Sequence, residues 1–158
     1  MSDKKNTPKQ KSVARLRKIS RVLAFQALYQ DEIAPEQDDN RWTRLFELYC
    51  DTSEMISGEE RQAIIEFSKL LVEGYHDRHV EVDDLILKAL DKSRTIARLS
   101  PIERNILRMA AYEIRFVQTP RAIVISEALN LSNQFGDKGS SNFVNGVLDK
   151  ITSTPEEA

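Results

Sequence analysis

The chain holds a single cysteine, Cys50, which excludes an internal disulfide framework and suits a reducing compartment such as the cytoplasm. No apolar run approaches the roughly 18 residues that a membrane helix needs. The N-terminus lacks the apolar stretch of a secretory signal, so no membrane association is expected. Glycine and proline are scarce, five of each in 158 residues, and they leave long uninterrupted amphipathic stretches that read as helices. No strand of useful length, internal repeat or low-complexity run is visible. A glycine-rich cofactor loop, a Ser/His/Asp arrangement and a facing carboxylate pair are also missing, so no catalytic residue and no cofactor is assigned. The two histidines, His76 and His79, fall where one helix stops and the next begins. Nothing distant completes a ligand set with them, so no metal site is assigned either.

What is present is an all-α chain of globular composition, 41% hydrophobic and 30% charged, long enough for one domain with a real core. Its net charge of −2 hides an asymmetry. Residues 1–21 carry eight basic side chains against Asp3 alone, a net +7, while the rest carries 15 basic and 24 acidic side chains, a net −9. A basic start on an acidic body points to a polyanionic partner for the start and protein partners for the body. Residues 1–12 read as a disordered basic arm, 13–152 as a single helical domain and 153–158 as a polar tail.

The first helix is expected from Val13 to Ile33. Leu16, Ile19, Leu23 and Ala27 share one face, and Arg17, Lys18 and Arg21 lie within about 100° of arc on the opposite side. Such a helix buries its second half and presents its basic start outward, either as a solvated face or as a surface for RNA phosphates. Trp42, Leu45, Phe46 and Tyr49 mark a short helix whose aromatics read as core. Ser57 and Glu60 form a capping box ahead of a helix burying Ile64, Phe67, Ser68, Leu71 and Tyr75. Val82, Leu85, Ile86, Ala89 and Leu90 mark the next helix. Ser100, Pro101 and Glu103 open a central helix running through Val117, in which Ala110 and Ala111 admit a close neighbour. Thr119-Pro120 repeats the device for a helix ending at Phe135. Gly136 then reads as a left-handed helix stop, 137–141 as a polar loop, and Phe143, Val144, Val147, Leu148 and Ile151 as the buried face of a last helix.

Several of these segments resemble the NusB family of bacterial transcription antitermination factors. They are Arg21-Val22-Leu23-Ala24-Phe25-Gln26-Ala27-Leu28-Tyr29-Gln30, the segment from Glu103 to Ile114, Ile123 to Leu129, Phe135-Gly136, and Ser140 with Phe143-Val144-Asn145-Gly146-Val147-Leu148-Asp149-Lys150. The resemblance covers 15–33 and 96–151 well and the middle only by helix pattern. It implies an all-α fold of about seven helices in two small bundles. It also implies a non-catalytic adaptor that binds boxA-like single-stranded RNA of ribosomal RNA operons together with NusE, the small-subunit ribosomal protein, in the RNA polymerase antitermination complex. By the same resemblance, Arg17, Lys18 and Arg21 contact RNA, and Gly139, Ser140, Asn142 and Phe143 lie on the same RNA surface. Tyr29, Arg98 and Glu103 belong to the surface for the partner protein. The chain departs from the family at Gly139, where an acidic residue is usual, and at Asn142, where a lysine is usual, which implies weaker phosphate attraction from this loop.

Two other classes stand beside this reading. One is a protein-only interaction module or homodimer that hides the RNA face. The other is a relative of the NusB-like domain of ribosomal RNA methyltransferases, for whose catalytic part the sequence has neither cofactor loop nor catalytic cysteine.

Overall fold

The computed structural model describes residues 8–35, 38, 40–50 and 55–154, the first five of these as backbone only. Among them there are seven α-helices and no strand: α1 (Pro8–Ile33), α2 (Arg41–Tyr49), α3 (Gly58–Asp77), α4 (His79–Ala89), α5 (Pro101–Tyr112), α6 (Arg121–Phe135) and α7 (Ser140–Leu148). A 3-10 turn, Ile96–Arg98, precedes α5, and a π-helical turn, Glu113–Val117, continues it. No described helix is long and apolar enough to cross a membrane.

Helix α1 begins at Pro8, with a proline at its first position, where a missing N–H costs nothing. The part of the expected arm from 8 to 12 is therefore helical, and 1–7 lie outside the described residues. Helix α1 packs along α3 and also meets α2 and α5. The approach to α3 runs over two small residues. The Ser20 hydroxyl donates to the Ile64 carbonyl at 2.8 Å, and the Ser68 hydroxyl donates to the Ser20 carbonyl at 3.1 Å. Helix α5 touches α1, α3, α4, α6 and α7, as its two alanines predict; both alanines are buried. A Cβ added at Gly74 of α3 would sit 2.0 Å from the Tyr112 hydroxyl, so a hydrogen is all that fits there. The buried apolar residues form one continuous core running through all seven helices. Leu16 and Ile19 sit at its edge, only partly buried, and Tyr49 is exposed rather than core.

The helix starts obey local chemistry in two of three expected places. Ser57 and Glu60 form the reciprocal capping box of α3. Ser100 accepts from the Glu103 N–H at 3.1 Å, but the Glu103 carboxylate turns away from the cap to α7. At α6 the expected cap is absent: the helix starts at Arg121 after Pro120 with no side-chain cap, and the buried Thr119 hydroxyl oxygen has no partner. The expected continuous helix through Val117 instead widens into the π turn and stops at Gln118, which has φ 61°.

Candidate nucleic-acid interface

The basic start of α1 divides into exposed and buried cations. Arg17 and Lys18 are exposed. The Arg17 guanidinium sits over the Phe67 ring, 4.7 Å from its centroid, which limits its freedom without covering it. Arg15 is partly neutralised by Glu60 at 2.7 Å.

Arg21 corrects the expectation. It is 4% exposed, and its Nε and Nη2 donate to the two carboxylate oxygens of Glu113 at 2.8 and 2.6 Å. Glu113 is 0% exposed. Fork-to-fork geometry of this kind satisfies both charges and locks their orientation. The reason is positional: Arg21 is one turn into the buried half of α1, and the π turn begins with Glu113 facing it. Arg17 and Arg21 line one side of an open cleft of about 590 Å³, whose other side is 117–120 and Ile123.

The loop before α7 is built on two glycines with different duties. Gly136 has an extended backbone, φ −90°, not the expected left-handed one. A Cβ there would lie 2.7 Å from the Ser132 carbonyl oxygen and 2.8 Å from the Ser140 Cβ, so close approach is what requires glycine. The left-handed residue is Gly139, φ 100°, directly before α7. Ser140 is buried at 3% exposed. Its hydroxyl accepts from the Asp137 N–H at 3.1 Å and donates to Glu103 Oε1 at 2.9 Å, so it fastens the loop to the start of α5. Asn142 is exposed. Phe143 is half-buried against the core, and the Arg94 guanidinium lies 4.7 Å above its ring centroid. One face of the ring is therefore covered by the guanidinium and is closed to a stacking base.

The two parts stand at opposite ends of α5. Glu113 meets Arg21, and Glu103, ten residues earlier, meets Ser140. At 1.5 Å per helical residue they are about 15 Å apart. Near the Ser140 end, Glu32 ties the end of α1, which carries the half-buried Tyr29, to Arg104 and Asn105 of α5 at 2.5 and 3.2 Å. Hydrogen bonds and charge from Arg104 hold the Glu32 carboxyl below the usual range, against a smaller effect of burial. For Asp31, burial pulls upward most strongly, but contacts from His76 and Arg41 together outweigh it and the net direction is down. His76 Nε2 lies 3.1 Å from Asp31 Oδ2 and His79 Nδ1 lies 2.8 Å from the His76 carbonyl oxygen, so each imidazole has its own partner. Arg98 is exposed in the 3-10 turn.

An all-α domain of this kind, with an exposed cationic helix start and a glycine-containing loop fixed to its central helix, is a small helical adaptor domain. The chain belongs to the NusB family, whose model matches residues 18–153. It is 35% identical over 141 residues to the transcription antitermination protein NusB of Oleidesulfovibrio alaskensis, covering 89% of each chain. Among solved structures it is similar to NusB of T. maritima, at 30% identity and a TM-score of 0.67, over 89% of this chain and 94% of that one. It is also similar to a chain in a crystal structure of the antitermination factors NusB and NusE in complex with dsRNA. That match has 28% identity and a TM-score of 0.70, over 87% of this chain and 96% of the other.

Proposed function

We propose that the chain is a non-catalytic adaptor in transcription antitermination, joining a boxA-like RNA to NusE within the antitermination complex of RNA polymerase, and that it works in the cytoplasm where transcripts emerge. The observation that carries this reading is the similarity, over 87% of the chain, to a chain solved in a complex of NusB and NusE with dsRNA. Arg17 and Lys18 are its phosphate contacts, being exposed cations among the described side chains of the α1 start. Gly139 meets RNA from the loop and Asn142 from the first turn of α7, while Ser140 and Phe143 act by holding these in place. Arg21 belongs to the scaffold beneath the RNA surface rather than to the surface. Tyr29, Arg98 and Glu103 form the NusE side.

A gel shift with a boxA-like single-stranded RNA, alone and with NusE, tests the reading. The expected result is a shifted RNA band that moves further when NusE is added. Glu103→Lys keeps the cap, which uses the Glu103 backbone N–H, but loses the Ser140 contact and reverses a charge. It is expected to abolish the second shift. RNA that runs unshifted at every protein concentration, with and without NusE, would overturn the reading.

A further inference from the structure

The first turn of α7, Ser140 to Phe143, carries no cation, and the neighbouring segment brings one there from elsewhere in the chain. The turn after α4 runs beside α7 and places the exposed Arg94 over Phe143, guanidinium carbon 4.7 Å from the ring centroid. Between the turn and the helix lies a cleft of about 220 Å³. Arg94, Asn142, Phe143 and Lys150 give it polar and aromatic walls, and the buried Leu90 and Val147 its apolar floor. Asp91 is the acidic residue at its edge, against two cations. Gly146 leaves one wall open, since a Cβ there would meet nothing within 4 Å. Helix α7 starts beside this cleft with no side-chain cap, which adds a further favourable pole for negative charge.

A guanidinium seated on an aromatic ring has lost much of its freedom and keeps its outer face. That outer face is a surface on which an unpaired base stacks, and its charge stays available to a phosphate. We propose that Arg94 is an RNA-binding residue. Phe143 supports it from below, an unpaired base stacks on it from above, and its charge serves the uncharged first turn of α7. The inference rests on the RNA-binding reading and deepens it. In it Phe143 is the support of the stacking surface and not the surface itself.

The test is binding of a boxA-like single-stranded RNA across a salt series to the unaltered protein, Arg94→Ala and Arg94→Lys, each checked for an unchanged melting midpoint. Arg94→Ala is expected to weaken binding about tenfold and to make the slope of log affinity against log salt shallower by about 0.7, one phosphate contact to a single strand. Arg94→Lys keeps the charge and loses the planar face, so its slope is expected to match the unaltered protein while its affinity falls roughly fivefold. If the unaltered protein binds and Arg94→Ala matches it in affinity and slope, the inference fails and the reading stands. If Arg94→Lys matches the unaltered protein in both, the stacking is refuted. Absence of binding by the unaltered protein refutes the underlying reading.

Discussion

At the scale of single residues, the buried pair of Arg21 and Glu113 governs what substitutions in the basic helix start will do. Removing one member leaves the other charged, buried and unpaired, which costs about 3–5 kcal/mol. Arg21→Ala is therefore expected to lower the thermal midpoint sharply, while Arg17→Ala, on an exposed side chain, leaves it nearly unchanged. Replacing both, Arg21→Met with Glu113→Leu, is expected to recover most of the loss, because a well-packed apolar pair avoids desolvating two ions. Calorimetry on the three variants decides it, and a midpoint for Arg21→Ala equal to that of Arg17→Ala would refute the structural assignment. The pair also marks where sequence reading stops. A helical wheel puts Arg21 beside Arg17 and Lys18 and counts all three as outward-facing, because charge on a helix is ordinarily solvated. Nothing local signals that a carboxylate 92 positions later will meet it. Ser20 was hidden for the same reason, since its value lies in letting α3 approach. Arg94 was hidden because its turn carries no motif.

At the scale of elements, the helices themselves were legible, because 3.6-residue periodicity and capping chemistry are local. The Ser57 box and the Ser100-Pro101 start both held their helices as read. Departures came where tertiary packing overrode local preference. The π turn after α5 and the uncapped start of α6 have no signature that periodicity detects. Gly136 was read for its backbone freedom, yet its requirement is steric. This makes a discriminating prediction. Gly136→Ala should be destabilising by roughly 1–3 kcal/mol through overpacking against backbone and Ser140. Gly139→Ala should be destabilising by about 1–2 kcal/mol through left-handed strain alone. Only the first should also disturb the Ser140 bond to Glu103, read as a shifted amide resonance for Asp137, whose N–H meets the same hydroxyl. Equal perturbation of that resonance by both changes would contradict the division of duties.

At the scale of the whole molecule, charge pairs stitch the first helices to the later ones, and they set its response to acid. Glu32 and Asp31, both on α1, have folded-state carboxyls below their ordinary values. Their contribution is fully present above the unfolded-state values, near pH 4. It is lost as pH falls through the lower folded-state values. Glu32→Gln is expected to lower the midpoint at neutral pH and to flatten its decline below about pH 5. A decline as steep as that of the unaltered protein would show that Glu32 takes no part in the acid response.

The same buried pair has a meaning in time as well as in energy. Its two members lie 92 positions apart, and burying both requires α1 and the end of α5 to be packed together already. Neither ion will give up its water until the surroundings are dry. The contact should therefore be nearly absent from the folding transition state and complete only in the native state. Loss of the pair should then leave the rate of folding almost untouched and accelerate unfolding by nearly its whole energetic effect. A denaturant chevron for Arg21→Ala with an unchanged folding limb and a raised unfolding limb is the expected record. The pair would then act as a latch, setting how long each molecule stays folded once formed.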